Sequence, residues 1–358
     1  MEVVKDFINW LAAPEKLFGM TAIFVLFGLK ARWLWTNKAG LIGLVGAIVF
    51  FVLSFQDPNF RIIATKPDNV PILMLFLFVG FFLWLSLKQA HENDERIARG
   101  EDPAEKAEYQ EKVLTWPHLV YTELICLVLM TVALIVWSIL IQAPLEEPAN
   151  PANTPNPSKA PWYFLGLQEM LVYYDPWLAG VVLPSLVIVG LMAIPYIDRN
   201  TKGAGYYTLK ERPFAITIFL FGFIVLWVTL IIIGTFLRGP NWNFFGPYEY
   251  WDSHKLVAMV NVNLSEFIYV KWMGTGLPKF WLTREIWGLL VCGVYFLIPP
   301  PVLARTFFKD FYKQLGVARY TVMVVLFLFM LSLPAKMMLR WFFNLKYIVA
   351  IPEYFFNI

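Results

Sequence analysis

Long apolar segments, almost free of charge, recur along the chain and alternate with short polar ones. Each approaches or exceeds the length of about 18 residues that a helix needs to cross a bilayer. Eight such segments are predicted as spans: Leu17–Trp35, Ala39–Phe55, Val70–Leu87, His118–Ile141, Trp177–Tyr196, Phe214–Phe236, Ile286–Leu303 and Tyr320–Met338. The pattern predicts an all-α fold, a polytopic helical membrane protein with about eight transmembrane helices.

Composition points to the same class. Of 358 residues, 59% are hydrophobic and only 15% are charged, a balance outside the range of ordinary soluble domains. The net charge is +3 and no basic cluster is present, so no nucleic-acid partner is predicted and the lipid bilayer is the expected surroundings.

Lysine and arginine in the loops predict the orientation, because cytoplasmic loops carry more of them. The richer loops follow the first, third, fifth and seventh spans, while the loop between the fourth and fifth spans holds Lys159 alone. We therefore expect a multi-pass protein of the cytoplasmic (inner) membrane, with both termini and the loop around Lys159 on the outer side.

The chain divides into five predicted regions. Two outward segments are predicted to lie at the membrane surface as helices, Met1–Trp10 and His254–Trp272. The charged stretch Gln89–Lys112 is predicted to be a solvated helix or a linker. The regions are an N-terminal three-helix membrane region (1–88), a charged cytoplasmic linker (89–117), a three-helix region with an outer loop (118–236), an outward aromatic-rich loop (237–283) and a C-terminal two-helix region (284–358).

Histidines are too few and too poorly placed to hold haem by a pair on neighbouring helices. The chain has only His91, His118 and His254, two of them in predicted loops and one at a predicted helix start. Because bis-histidine ligation needs two of them to face each other within the bilayer, we expect no haem and no metal site in this chain.

A proline-rich loop leads into an aromatic motif. Ala143–Pro161 contains six prolines, which fix φ and exclude a helix, so a rigid strap is predicted. Trp162–Tyr174 then has helical spacing. An interfacial helix anchored by aromatic residues explains a lone Trp-Tyr-Phe, but the combination with the strap, with Gln168-Glu169 and with Asp175-Pro176-Trp177 favours a quinol-binding loop.

The same residues resemble a known family. His118 to about Phe236 is similar to the C-terminal part of cytochrome b, which is a separate subunit IV in the plastoquinol-oxidising complexes of chloroplasts and cyanobacteria. The resemblance rests on the Asn-Pro-Ala-Asn-Thr-Pro loop, the aromatic motif, Pro195-Tyr196-Ile197-Asp198 and Arg212-Pro213. Arg238–Asn243 and the last two spans resemble extended bacterial members of that family.

The resemblance implies a function. The chain would be a non-haem membrane subunit of a cytochrome bc-type quinol:electron-acceptor oxidoreductase in respiratory or photosynthetic electron transfer, not catalytic alone. It would form part of the outer quinol-oxidation site, with menaquinone and ubiquinone both open. The implied partners are a haem-binding cytochrome b N-terminal-type subunit that carries the b-type haems, a Rieske iron–sulfur protein and a c-type cytochrome. The implied quinol-binding residues are Pro161, Trp162, Tyr163 and Phe164.

One position departs from the family. Its motif is Pro-Glu-Trp-Tyr, whose glutamate is implied to accept a quinol proton, and Pro161 occupies that position here. Glu169, two turns beyond Trp162, is predicted to take its place as the catalytic proton acceptor, since a carboxylate partly desolvated beside aromatic rings has a proton affinity suited to the task. The alternative is a solvated interfacial acid.

Other ionisable groups leave alternatives open. His118 and Glu123 are candidates for an inner-side proton path, or a helix-terminal pair without function. Arg238 is either a structural anchor or a docking charge. At the level of function, the alternative is a quinone-binding or structural membrane anchor subunit of another multisubunit respiratory complex. A transporter is disfavoured, because no inverted repeat is evident.

Overall fold

The protein is all-α, as predicted. The computed structural model describes residues 2–108, 113–143, 148–202 and 205–358. The helices are α1 (Glu2–Leu11), α2 (Pro14–Gly28), α3 (Asn37–Ser54), α4 (Pro58–Ala64), α5 (Val70–Ala98), α6 (Ala104–Glu108), α7 (Thr115–Leu140), α8 (Leu165–Met170), α9 (Leu178–Ile197), α10 (Pro213–Leu237), α11 (Trp281–Arg305) and α12 (Lys309–Phe343). A short antiparallel hairpin follows α12, and each of its strands, β1 (Ala350–Ile351) and β2 (Phe356–Asn357), is two residues long.

Seven of the described helices are long and apolar enough to cross a membrane: α3, α5, α7, α9, α10, α11 and α12. The predicted first span, Leu17–Trp35, is not one continuous helix. Helix α2 ends at Gly28, and Trp35 folds back so that its indole Nε1 donates to the Gly28 carbonyl at 2.6 Å. Helices α1 and α2 are bent by 76° and reach the length of an eighth span only together.

The remaining spans begin or end beyond their predicted limits. Helix α5 continues past Leu87 to Ala98, and α12 extends from Lys309 to Phe343 around the predicted Tyr320–Met338, with a kink at Gly316, where φ is 72°. Hydropathy marks where a helix becomes polar, but a helix continues wherever its residues favour it, and the Glu, Lys, Arg and Ala that extend α5 do.

The charged end of α5 is docked against the loop before α10. Asn93 and Asp94 are buried, whereas the sequence predicted a solvated helix or linker here. The Asp94 carboxylate accepts hydrogen bonds from the Thr208 hydroxyl at 2.6 Å and from the Lys210 backbone N–H at 3.1 Å. Lys112, the predicted end of this charged stretch, lies outside the described residues.

The predicted surface helix His254–Trp272 is wrong over most of its length. Only residues 264–272 are helical, and Glu266–Trp272 has the wide hydrogen-bond pattern of a π-helix. Val262 instead pairs with Leu345 beyond α12 in an isolated bridge. The β-branched valines at 257, 260 and 262 favour extended backbone, and that preference prevails here.

The loops form two groups, as the predicted topology requires. On one side, Asn59 and the backbone of Tyr248 are hydrogen-bonded, and Tyr248 in turn binds Asn9. On the other side, Asn93 contacts the carbonyl of Tyr207. Both described ends of the chain belong to the first group, which also holds the strap. That this group faces outward remains the prediction from charge counting.

Helix α10 is the central helix. Thirty-nine per cent of its apolar 18-residue stretch is buried inside the protein. Val225, Leu226 and Leu230 belong to the largest apolar cluster. Helix α7 is the opposite case, because no residue of its apolar 18-residue stretch is buried. Within the described residues, α7 therefore packs against almost nothing but its own turns.

Candidate functional site

A cavity of about 830 Å³ lies where the strap meets the N-terminal region. We call it the strap cavity. Its walls come from α4 and the start of α5, from the strap, from the end of α10 and from the outer loop beyond it. The lining residues are Asn59, Ile62, Ile63, Lys66, Asp68, Asn69, Ile72, Pro155, Asn156, Pro157, Ser158, Lys159, Ala160, Pro161, Trp162, Leu165, Thr235, Glu249, Tyr250 and Trp251.

Gln168 holds the strap in place from helix α8. Its side-chain amide donates to the Ser158 carbonyl and its side-chain oxygen accepts from the Ala160 N–H, both at 2.8 Å. The described part of the strap, residues 148–161, has few backbone hydrogen bonds of its own because prolines lack the N–H donor. This single amide therefore fixes the backbone on both sides of Lys159.

A second contact ties the strap to the outer loop. Asn156 and Asn241 exchange two hydrogen bonds, one between the side-chain amides at 3.0 Å and one from the Asn241 backbone N–H at 2.6 Å. Asn241 adopts φ of 58°, a left-handed conformation that asparagine tolerates better than most residues. The turn Pro240–Trp242 thus presents a backbone donor to the strap.

Glu169 is fully buried and ion-paired, not a solvated interfacial acid. Its carboxylate accepts two hydrogen bonds from Arg238, at 2.6 and 3.0 Å, and a third from the Trp242 indole at 3.2 Å. Arg238 also donates to the Trp242 carbonyl at 3.0 Å. Of the two alternatives for Arg238, this geometry is that of a structural anchor.

The ion pair changes the pKa of the arginine. Burial lowers the pKa of Arg238, but the adjacent Glu169 carboxylate raises it more, so its pKa is raised overall. Neither residue lines the strap cavity. The prediction that Glu169 accepts a quinol proton stays a prediction. In the structure, three hydrogen bonds from donors within the protein satisfy this carboxylate.

The aromatic motif divides between two environments. Pro161 and Trp162 line the strap cavity, while Tyr163 and Phe164 do not. Trp162 and Tyr163 pack edge to face with ring centroids 5.7 Å apart, and Tyr163 and Phe164 lie 4.7 Å apart. All three rings are exposed to about the same extent, so the motif forms an aromatic rim beside the cavity.

Three polar groups with unfilled hydrogen-bonding capacity line the cavity. Lys159 Nζ donates to the Thr235 carbonyl at 2.8 Å and lies 4.8 Å above the Trp251 ring. The Thr235 hydroxyl and the Trp251 Nε1 are buried and find no hydrogen-bond partner among the described residues. The sequence reasoning missed this group, although Lys159 stood out as the lone basic residue of its loop.

Lys159 differs in charge environment from the other ionisable groups of the cavity. Lys66 pairs with Asp68 at 3.1 Å, and Glu249 lies 3.7 Å from Lys255. No carboxylate lies within ion-pair distance of Lys159 in the described residues. Burial, and after it the charge of Lys66, lowers the pKa of the Lys159 amine to about 7.

The predicted inner-side pair is not assembled by this chain. His118 and Glu123 lie at the beginning of α7, both exposed, and no ion pair joins them. Their assignment to a proton path remains a prediction. His91 lies on the extension of α5 and His254 in the outer loop, and the described residues contain no group of three or more His, Cys, Asp or Glu side chains suited to a metal ion.

A smaller cavity of about 340 Å³ lies on the other side of the strap. Asn156, Ser158 and Gln168 line it together with Arg340 and Lys346. Arg340 already donates to the carbonyls of residues 260 and 344. At the rim of this smaller cavity, the Arg340 side chain is therefore engaged in holding the outer loop.

Comparison with known proteins agrees with the resemblance seen in the sequence. Residues 148–249 match the model of the family described as cytochrome b (C-terminal)/b6/petD, and no solved structure matches the chain. The match leaves out α7, which the predicted resemblance included, and extends beyond Phe236 through the Glu169–Arg238 pair to Glu249. Residues 148–249 are thus similar to the C-terminal part of cytochrome b, which suggests a subunit of a cytochrome bc-type complex.

Proposed function

We propose that the chain is a non-haem membrane subunit of a cytochrome bc-type quinol:electron-acceptor oxidoreductase, and that the strap cavity is its part of the outer quinol-oxidation site. The single observation that carries this proposal is the cavity itself. It lies within the family-matched segment on one side and against the N-terminal region on the other.

The cavity has the size and the lining that a quinol headgroup needs. Ligand pockets commonly measure about 300–1,000 Å³, with mostly apolar walls and a few placed polar groups. Here Ile62, Ile63, Ile72, Leu165 and the ring of Trp162 supply apolar wall. The polar groups described above supply hydrogen-bonding partners for a quinol oxygen.

The rigidity of the strap supports the same function. A quinol pocket at a membrane surface has to keep its shape while hydrophobic ligands enter and leave. Proline fixes φ, and the Gln168 amide and the Asn156–Asn241 pair hold both flanks. The Glu169–Arg238 pair anchors α8 beneath the strap, so in this proposal Glu169 acts first as a positioning residue.

The remaining parts of the proposed complex are separate proteins. The two b haems would belong to a cytochrome b N-terminal-type subunit, and a Rieske iron–sulfur protein and a c-type cytochrome would accept electrons on the outer side. Helix α7, unburied by the other described residues, leaves a whole helix surface for such a subunit or for lipid.

Exchange of Trp162 tests the proposed site. In the purified complex, Trp162→Leu should raise KM for decylubiquinol or menadiol by about tenfold, because a lost aromatic contact of about 1.4 kcal/mol corresponds to that factor. Trp272→Leu is the matched control, since Trp272 lies on the same side of the protein, is 78% exposed and does not line the cavity. Equal KM values in the two variants would contradict the proposal.

The alternative is an anchor subunit of another respiratory complex that binds quinone or only supports the assembly. The subunit composition of the purified complex decides between the two. A haem-binding cytochrome b subunit and an iron–sulfur protein support the proposal, and co-purification with neither favours the alternative.

A further inference from the structure

We infer that Lys159, together with the hydroxyl of Thr235 and the indole N–H of Trp251, binds one quinol oxygen in the strap cavity and that the Lys159 amine accepts its proton. This inference rests on the proposed function. It assigns the proton-accepting role, which Pro161 cannot fill, to a residue two positions before it.

The first argument is the placement of the three groups. They come from different elements, namely the strap, the end of α10 and the outer loop, yet all three residues line the cavity and the Lys159 amine contacts the other two. Lys159 Nζ is held 2.8 Å from the Thr235 carbonyl and 4.8 Å from the centre of the Trp251 ring. The amine therefore has a fixed position. The hydrogen bond to Thr235 uses one of its hydrogens, so a further hydrogen or, in the neutral form, the lone pair is available to a ligand.

The second argument is the cost of the unfilled hydrogen-bonding capacity. Thr235 is 3% exposed, and both its hydroxyl and the Trp251 Nε1 lack a partner in the described residues. A buried polar atom without a partner is destabilising, so such atoms seldom persist without a role. A quinol oxygen that accepts from the Thr235 hydroxyl and from the Trp251 N–H would satisfy both, and its own proton stays free for Lys159.

The third argument is the charge around Lys159. The groups that face it are Lys66 and Asp68 from the segment before α5, Glu169 from α8, Arg238 after α10 and Glu249 from the outer loop. Three of these, Lys66, Asp68 and Glu249, line the cavity with it. Lys66 is paired with Asp68, Glu169 with Arg238, and Glu249 with Lys255.

These pairings leave Lys159 without a counter-ion in the described residues, and its burial then favours the neutral amine. With the pKa lowered to about 7, a large share of the Lys159 side chains is neutral near neutral pH. A neutral amine has the lone pair that a base needs, and a pKa near the working pH is the most effective one for proton transfer.

The proton step is balanced within the proposed complex. As the quinol O–H bond breaks, an N–H bond forms on Lys159, and the ammonium later returns this proton to outer water. The two electrons leave for the acceptors of the proposed complex, one for the iron–sulfur protein and one for a b haem. The second quinol proton leaves from the other oxygen, which this inference does not assign.

The sign of the pH dependence follows from the base being the neutral form. Quinol oxidation should rise with pH through about 7, the pKa of Lys159, and level off above it. Arginine keeps the positive charge and the hydrogen-bond donors but cannot lose its proton in this range. Lys159→Arg should therefore abolish the inflection and lower kcat by about 100-fold or more.

The experiment uses the purified complex with decylubiquinol and menadiol as the probes, and measures kcat, KM and the equilibrium binding of the oxidised quinones across the neutral pH range. Lys159→Arg should keep quinone binding while kcat falls. Thr235→Val, which retains the backbone carbonyl that holds Lys159, should weaken binding roughly 2- to 10-fold, as expected for one hydrogen bond. Lys271→Met is the control, an exposed lysine on the same side that does not line the cavity.

The outcomes separate this inference from the proposed function. If Lys159→Arg retains the wild-type kcat and the inflection near pH 7, the assignment of Lys159 is wrong even though the cavity binds quinone. If the wild-type complex shows no binding of either quinone at this cavity, the proposed function fails and the inference fails with it.

Discussion

At the scale of single residues, Glu169 and Lys159 lie in different environments. Glu169 is bound by Arg238 and Trp242 and anchors α8, while Lys159 is the ionisable group that reaches the cavity without a counter-ion in the described residues. Position in the sequence pointed to Glu169 because it was the nearest acid after Trp162. Which side of α8 it faces depends on Arg238, 69 residues further along the chain.

Replacing Glu169 should reveal this anchoring role. Glu169→Gln leaves the Arg238 charge buried without its carboxylate, which costs about 3–5 kcal/mol in comparable buried pairs. We expect a clear drop in the unfolding temperature of the purified complex, measured by the loss of its helical circular dichroism signal.

The double variant Glu169→Leu with Arg238→Met is the control for that prediction. It removes both charges, so much of the lost stability should return. An unfolding temperature of Glu169→Gln equal to that of the wild type, together with a loss of quinol oxidation, would restore Glu169 as the proton acceptor.

At the scale of elements, the sequence predicted the apolar spans well and the polar connections poorly. Hydropathy identifies a span because the bilayer selects apolar residues. It does not report that Trp35 folds back onto Gly28, or that Val262 pairs with Leu345. Such contacts join residues that are distant in sequence or depend on one specific hydrogen bond, and a pattern of polarity contains neither kind of information.

The candidate site shows the same division. Pro161 and Trp162 were predicted from the motif, and both line the cavity. The wall from Asn59 to Ile72 was not predicted, because nothing in the first three spans resembles a known motif. Its contribution depends on the packing of α4 and α5 against the strap.

The charged extension of α5 offers a test of the element-scale account. Asp94→Asn should weaken the hold on the loop before α10, because Asp94 accepts hydrogen bonds from Thr208 and Lys210 and is 3% exposed. A loss of about 1–3 kcal/mol is expected. Hydrogen–deuterium exchange should therefore rise in the peptide that contains residues 205–212.

Glu92→Gln is the matched control, two positions earlier on the same helix, with a side chain that is 58% exposed. It should leave exchange in that peptide unchanged. Equal exchange in Asp94→Asn and the wild type would show that the charged extension is not docked there.

At the scale of the whole molecule, the loops gather at two ends, and the strap cavity draws on both the N-terminal region and the family-matched segment. The N-terminal spans thus acquire a structural role that their sequence did not indicate. Both described ends of the chain lie at the end that holds the strap, held by the Asn9–Tyr248 and Trp177–Asn357 contacts.

This arrangement predicts a labelling pattern in sealed vesicles of known orientation. With Cys126 and Cys292 replaced by alanine, single cysteines at Glu2, Asn153 and Leu256 should react with a membrane-impermeant thiol reagent from the outer side. A cysteine at Lys202 should react only after the vesicles are opened. The reverse pattern would contradict the orientation predicted from loop charge.

The central claim is that the strap cavity binds the quinol headgroup, and photoaffinity labelling tests it most directly. An azidoquinone should label the purified complex at peptides containing residues 155–162, and excess decylubiquinone or menadione should prevent the labelling. Label confined to other segments of this chain, or to other subunits, with the strap unlabelled, would contradict the account.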